Sequence, residues 1–298
     1  MTSPPQAPAP TEVDALLAAM RPRLHRYCAR IVGSVIDGED VLQDALIKAM
    51  EGFASAAPIQ NPQAWLFRIA HNTALDFLRR RNRQDALHSS EEVDMMAGEL
   101  DDVGRREIAA ASLRTFMRLP VAQRSSVILM DVLGCSLQEV CGIMDFSLPA
   151  VKAALHRGRT QLRAFAREPD DAPRPGLSPG ERTRLNAYVS RFNARDFDAI
   201  RAMIADDIRL ELVNRTRLNG KAEVSRYFGN YAKIDDWHLK TGQVEGRPAI
   251  LVFEPDALDA PPRSFMLLDW SADKVAIIRD FRHASYAIDG AEWAVDEG

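Results

Sequence analysis

Four arginines, Arg79, Arg80, Arg81 and Arg83, close the stretch NPQAWLFRIAHNTALDFLRRRNR, which also offers Trp65, Asn72 and Asp76. Guanidinium groups neutralise phosphates, an asparagine amide hydrogen-bonds a base edge in both directions, and an indole face stacks on a base. A second basic stretch, SLPAVKAALHRGRTQLRAF, holds Lys152, His156, Arg157 and Arg159, with no acid between Leu148 and Arg167. Two separated basic helices on one chain fit two grips on nucleic acid better than they fit a catalytic centre. The formal net charge is −4, so the positive charge is local rather than global. Between the basic helices the acids Glu91, Glu92, Asp94, Glu99, Asp101, Asp102 and Glu107 face only Arg105 and Arg106. Each feature has a plainer reading as well: cations suit a helix C-terminus, and a tryptophan beside such a helix also serves as a core wedge.

Helices must position these groups. Leu16, Leu17, Met20, Leu24, Tyr27, Cys28 and Ile31 recur at helical spacing and predict an amphipathic helix over 13–33. Asp37, with Asp40 three residues on, reads as the cap of a second helix from Gly38 to about Phe53, burying Val41, Leu42, Ala45, Leu46 and Ala49. Pro58 and Pro62 bracket a loop, and Pro62 suits the first turn of a helix reaching Arg83. Further on, helices are expected over 108–118, stopped by Pro120, over 122–133, stopped by Gly134, and over 137–144, capped by Ser136. The turn Asp145-Phe146-Ser147 then leads into the second basic helix. A short helix, a tight turn and a basic helix form a helix-turn-helix pattern.

The bounds agree with this. A chain of 298 residues, 46% hydrophobic and 27% charged, is long enough for two or three globular domains. Cys28, Cys135 and Cys141 are too few for a disulfide framework and read as reduced core residues. No apolar run reaches the length of a membrane span, and MTSPPQAPAPTE has no secretory-signal pattern, so a cytoplasmic protein is expected. No metal-ligand spacing, phosphate loop or nucleophile elbow occurs, and no cofactor is expected.

After EPDDAPRPGLS, whose prolines mark a linker, the pattern changes. Helical spacing over 179–205, interrupted at the cap Asp196, precedes alternating runs at 208–212, 243–245, 249–253, 265–270 and 275–281, with a helix over 221–231. Helices first and strands afterwards argue for an α+β domain with an antiparallel sheet. Its polar candidates are Asp207, Glu211, Trp237, His238, Trp270, Arg279 and His283. A carboxylate beside a histidine does general acid–base work, although isolated His and Trp in such sheets more often pack. The expected division is a disordered tail 1–12, a helical domain 13–85, an acidic connector 86–107, a helix-turn-helix domain 108–167, a linker 168–178, the α+β domain 179–290 and a tail 291–298. The fold class is therefore multidomain, two all-α domains followed by one α+β domain.

GEDVLQDALIKAM, AWLFRIAHNTALDFLRR and LPVAQRSSVILMDVLGCSLQEVCGIMDFSLPAVKAALHRGRTQLR, in that order and at that spacing, resemble the extracytoplasmic-function sigma factors of bacterial RNA polymerase. Residues 179–290 resemble a SnoaL-like domain, on the pattern FNARDFDAIRAMIADDIRLEL. The resemblance implies that Asp40, Gln43, Asp44 and Lys48 meet the clamp helices of the polymerase largest subunit. It implies that Asn72 lines a pocket for an extruded base of the minus-ten element, helped by Asp76, Trp65, the loop 59–64 and the arginines Arg79, Arg80, Arg81 and Arg83. It places Lys152, His156, Arg157 and Arg159 at the minus-thirty-five element, with Ala153 and Ala154 where relatives offer polar side chains, and the flap of the second-largest subunit as a further contact. Under it the acidic connector either threads toward the RNA path of the polymerase or is a plain linker. The chain then reads as a non-catalytic alternative sigma factor controlled in cis by its SnoaL-like domain. The other reading is a bifunctional chain whose SnoaL-like domain is a cyclase- or isomerase-like enzyme or a small-ligand sensor.

Overall fold

The computed structural model describes residues 10–55, 59–84, 108, 111–165, 176–231, 233–234 and 236–296. Residues 1–9, the connector 86–107 and most of the linker lie outside the described residues. The chain divides into two units, residues 1–170 and 171–298.

The first unit is all helix. It begins with α1 Pro10–Val32, α2 Val35–Ser55 and α3 Pro62–Gln84. Leu17, Met20, Leu24, Tyr27, Cys28 and Ile31 of α1 are buried, as are Val41, Leu42, Ala45, Leu46 and Ala49 of α2. The boundary between these helices differs from expectation. Gly33 breaks α1 at φ +82, a left-handed turn that favours glycine, and α2 starts at once. Its cap is Ser34, whose Oγ accepts from the Asp37 N–H at 3.1 Å. Asp37 therefore sits inside the first turn, where its charge still meets the positive helix end. Gly38 lets α2 lie close against α1, since a Cβ there would stand 2.6 Å from the Ala29 backbone.

The unit continues with α4 Leu113–Met117, α5 Val121–Val127, a π-helical turn Ile128–Val132, α6 Leu137–Met144 and α7 Leu148–Phe165. Ser136 caps α6 in a reciprocal box with Glu139, and α6 ends on Asp145 in the left-handed region at φ 58. The two helical groups share one hydrophobic core. Between them the Arg30 guanidinium lies 5.7 Å from the Phe116 ring centroid. Arg23 Nη2 donates to the Leu133 carbonyl at 3.0 Å.

The second unit opens with α8 Pro179–Asn193, capped by Ser178 with Glu181, and α9 Phe197–Met203, capped by Asp196. A single sheet follows: β1 Ile204–Leu212, β2 Thr216–Asn219, β3 His238–Val244, β4 Arg247–Phe253, β5 Ser264–Ser271, β6 Lys274–Asp280 and β7 Trp293–Val295, with α10 Lys221–Tyr231 between β2 and β3. The strand order is β2-β1-β6-β5-β4-β3-β7. The sheet is mixed rather than antiparallel, because β1 runs parallel to β6. Residues 291–296 are not merely a tail: β7 pairs with β3, and Arg182 holds Asp296 at 2.6 Å. The core joins Tyr188, Phe192 and Trp237 to Phe228 and Tyr231 beneath the sheet.

Candidate functional site

On α2 the exposed face carries Asp40, Asp44 and Lys48, with Gln43 half-buried beside them. Lys48 Nζ reaches α3 and donates to Thr73 Oγ1 at 3.2 Å. Two large apolar side chains stand in the same charged face, Ile47 at 52% and Met50 at 55% exposure. The stripe used to find the helix skipped them, since they fall off its buried side.

On α3 Asn72 is exposed and Asp76 half-exposed. Asp76 accepts a charge-assisted hydrogen bond from Arg79, which holds its carboxyl below the usual range. The pair neutralises the charge that would otherwise repel phosphate. Arg80 donates to the Asp76 carbonyl at 3.4 Å and stays exposed. Arg68, exposed one turn before Asn72, extends the same face and was missed by the sequence reading. Its i, i+4 spacing to Asn72 was the available signal. Arg81 is a correction: it turns back onto the protein, donating to the Val32 carbonyl at 3.2 Å with Asp37 at 3.8 Å. The Arg83 side chain lies outside the described residues. Trp65 is a packing wedge, its ring 4.7 Å from Phe53 and set over Gly52. That geometry fits the core-wedge reading rather than the stacking platform, with one side of the indole used by α2.

On α7 Lys152 is exposed, and His156 and Arg157 are half-buried. Arg159 is the second correction. Its Nε and Nη2 donate to both carboxylate oxygens of Asp131 at 2.9 and 2.6 Å, with only 14% of its side chain exposed. A guanidinium held bidentately by a buried carboxylate is a structural tie, with its charge offset by that carboxylate. Ala154 faces the core, so only Ala153 bears on the outer face.

In the second unit the seven polar candidates do not converge on one site: Glu211, Arg279 and Trp270 lie together and the other four lie apart from them. Asp207 is exposed and Trp237 is buried against Phe192. His238 stands half-buried at the start of β3, opposite Phe253. Glu211 is held between Arg217 at 3.0 Å and Arg279 at 3.2 Å. Arg279 and Trp270 line a cavity of about 470 Å³ near α8, with Arg184 5.7 Å from the Trp270 ring centroid. His283 lines a different cavity of about 650 Å³ and accepts from Arg215 at 3.2 Å. Burial, then the charge of Arg215, lowers its pKa. Neither His238 nor His283 is hydrogen-bonded to a carboxylate among the described residues. What the sequence reading missed is Asp280, 1% exposed, whose Oδ2 accepts from the Tyr227 and Tyr231 hydroxyls and whose Oδ1 accepts from the Arg282 N–H at 2.8 Å. The i, i+4 tyrosines on α10 were the trace of it. Among the described residues no group of acids, histidines and cysteines could hold a metal ion, and no helix is long and apolar enough to cross a membrane.

Three families match the chain: Sigma-70 region 2 over residues 16–84, Sigma-70, region 4 over 113–162, and the SnoaL-like domain over 185–284. The ECF RNA polymerase sigma factor SigM of Mycobacterium tuberculosis is 31% identical over 149 residues, covering 50% of this chain and 74% of SigM. The chain belongs to the ECF sigma factors. SigG of the same organism is 26% identical over 291 residues, covering 88% of this chain and 78% of SigG, beyond the two sigma regions. Among solved structures, the extracytoplasmic-function sigma factor SigJ of Mycobacterium tuberculosis is 17% identical with a TM-score of 0.37, covering 90% of this chain and 95% of that one. This ECF sigma factor is an alternative sigma factor that works with RNA polymerase on promoters, and it carries a C-terminal SnoaL-like domain.

Proposed function

We propose that this sigma factor docks on the polymerase clamp helices through Asp40, Gln43, Asp44, Lys48, Ile47 and Met50, and reads an extruded minus-ten base with Asn72. Asp76, Arg68, Arg79 and Arg80 flank that base, while Lys152, His156 and Arg157 hold the minus-thirty-five element and region 4 meets the flap. The SnoaL-like domain controls these contacts in cis and catalyses nothing. The observation that carries the reading is the exposed line Arg68–Asn72–Asp76–Arg79 on α3, beside an α2 face where apolar and charged side chains mix. A base-reading group set among cations is what phosphate positioning and base readout require together.

The packing of the first unit adds a condition. Two promoter elements some 25 base pairs apart lie on the order of 80 Å apart at roughly 3.4 Å per base pair. The helices that read them share one core here, so the two groups separate before both elements are held. A domain tethered on the same chain acts at high effective concentration on such an equilibrium. Its scattered polar candidates support control rather than catalysis.

The test is transcription from a cognate promoter by core polymerase with the purified protein. Asn72→Ala is expected to slow open-complex formation, by about 1–3 kcal/mol for one bidentate base contact, and to leave polymerase binding unchanged. Unchanged melting removes Asn72 from the site. Deleting residues 179–298 is expected to raise transcription several-fold. Equal transcription with and without them refutes control in cis.

A further inference from the structure

The 650 Å³ cavity lies between the β1–β2 hairpin, α10 and the loop after β6. Its volume falls within the roughly 300–1,000 Å³ of small-molecule sites. Three arginines line it, Arg215, Arg226 and Arg282, against one carboxylate, Glu223. Glu223 already accepts the Asn219 N–H at 3.0 Å. Arg282 is neutralised by Asp236 at 2.9 Å. Arg215 donates only to the imidazole of His283, and Arg226 has no carboxylate partner among the described residues. Two exposed guanidinium groups at the mouth are therefore unneutralised.

The inner wall has the opposite character. Tyr227 and Tyr231 are 9% and 6% exposed, and their hydroxyls are engaged by Asp280. Tyr227 presents ring surface and no free donor, next to the apolar Leu212 and Leu218, while the Tyr231 ring carries the Arg282 guanidinium at 5.2 Å from its centroid. A cation entering this cavity meets two like charges. A neutral apolar body leaves both guanidiniums without an anion. A strongly polar anion gains nothing from the aromatic wall.

We propose that this cavity is a binding site for an amphipathic anion, an aromatic or alicyclic carboxylate or sulfonate, with its acid group on Arg215 and Arg226 and its ring body on Tyr227, Leu212 and Leu218. Charge-assisted bonds fix the acid, and the wall supplies the apolar contact. The site does not depend on control in cis. If that control operates, the anion is its signal.

Fluorescence titration of the full-length protein with two probes tests it: anilinonaphthalene sulfonate, and N-phenylnaphthylamine, which has the same ring system without the acid. The sulfonate is expected to saturate at one equivalent and to bind at least about tenfold tighter than the neutral probe, the scale of one charge-assisted contact. Arg226→Glu and Arg215→Glu are each expected to remove that advantage while leaving the neutral probe unchanged. Arg226→Gln, which keeps the stem, must lose sulfonate affinity alone, so that a collapsed wall is told apart from a lost charge. Equal affinity for the two probes, or variants that bind the sulfonate like the parent protein, overturn the proposal. Direct titration keeps this outcome separate from transcription: a failed titration leaves control in cis standing, and unchanged transcription on deletion leaves the site standing.

Discussion

The seam between the two helical groups and the core of the SnoaL-like domain are both buried, but they are built from different groups. The core of the SnoaL-like domain is aromatic: Phe192 sits edge-on to Phe197, Phe228, Tyr231 and Trp237 at centroid distances of 4.7–6.3 Å. Asp280, the one acid buried there among the described residues, accepts from three donors. On α5 the helical unit buries Gln123, Arg124, Ser125 and Ser126, with Arg124 turned toward Arg81 of the first helical group; the Gln123 Oε1 and Arg124 Nε atoms have no partner among the described residues, and in the aromatic core the Tyr188 hydroxyl and Trp237 Nε1 likewise have none. Polar contacts of this kind resemble surfaces that part and rejoin, whereas an aromatic core does not come apart without unfolding. If the helical groups separate as proposed, it is the buried charge of Arg124 that they expose, whereas the aromatic core stays closed.

Acid should separate the two most strongly. His25 and His71 are buried in the helical unit, and burial lowers both to about 4 from 6.5. His25 bonds the Val35 carbonyl at 2.9 Å, and His71 Nδ1 meets the Tyr27 hydroxyl at 2.6 Å. The unfolded chain takes up these protons near pH 6.5, while the folded chain resists them until about pH 4. Stability is therefore complete above that window and falls as pH drops through it. The loss is several kcal/mol for the two groups together, since each tenfold difference in proton affinity between folded and unfolded chain is worth about 1.4 kcal/mol. Thermal melts between pH 7 and pH 4 are expected to lower the helical transition well before that of the SnoaL-like domain. Parallel loss of both transitions breaks the contrast.

Asp280→Ala should reverse the order. It leaves the Tyr231 hydroxyl and the Arg282 backbone N–H without their acceptor, while Tyr227 keeps the Tyr231 oxygen at 2.9 Å, at a cost of roughly 1–3 kcal/mol for each group left unsatisfied. The melting midpoint of the SnoaL-like domain is expected to fall by about 10 °C or more, at roughly 4–8 °C per kcal/mol for a domain of this size. The helical transition should not move. A variant that melts like the parent protein shows that the network contributes little to the fold.

The same contrast explains what could be read from the sequence. The helical unit was legible because apolar stripes, prolines and the Ser136 cap are local signals, and local signals set helices. Ser34 was passed over for Asp37 because both are good caps and only the turn at Gly33 decides between them. In the second unit β2, the start of β3 and β7 escaped. TRLN is a polar edge strand, HLKTG carries little alternation, and the three-residue β7 exists only because β3 offers it an edge. Among the site residues, Asn72 came from the resemblance to the sigma factors and Lys152 from an acid-free basic helix, and both are exposed. Whether an arginine meets solvent or a carboxylate across the core did not follow. Arg159 and Arg81 are paired by residues 28 and 49 positions away, beyond the reach of any spacing rule.

The smallest expected effect bears directly on the seam. Arg124 is 2% exposed, its Nη1 donates to the weak acceptor Met117 Sδ at 2.7 Å, and its Nε is unpaired. Burial first, and then the like charge of Arg81 across the seam, lower its pKa to about 10. A cation held against these two penalties makes closure less favourable than an apolar seam would. Arg124→Met keeps the stem and the volume and removes the buried charge. Replacements of this kind are often neutral or stabilise by about 1–4 kcal/mol. The helical transition should rise by a few degrees, and promoter-dependent transcription should fall about tenfold for each 1.4 kcal/mol by which closure is favoured. Arg124→Ala, which opens a void, separates the charge from the packing: it should lower the midpoint where methionine raises it. If Arg124→Met lowers both midpoint and transcription, the guanidinium holds the helical groups together, and the seam is a permanent core like that of the SnoaL-like domain.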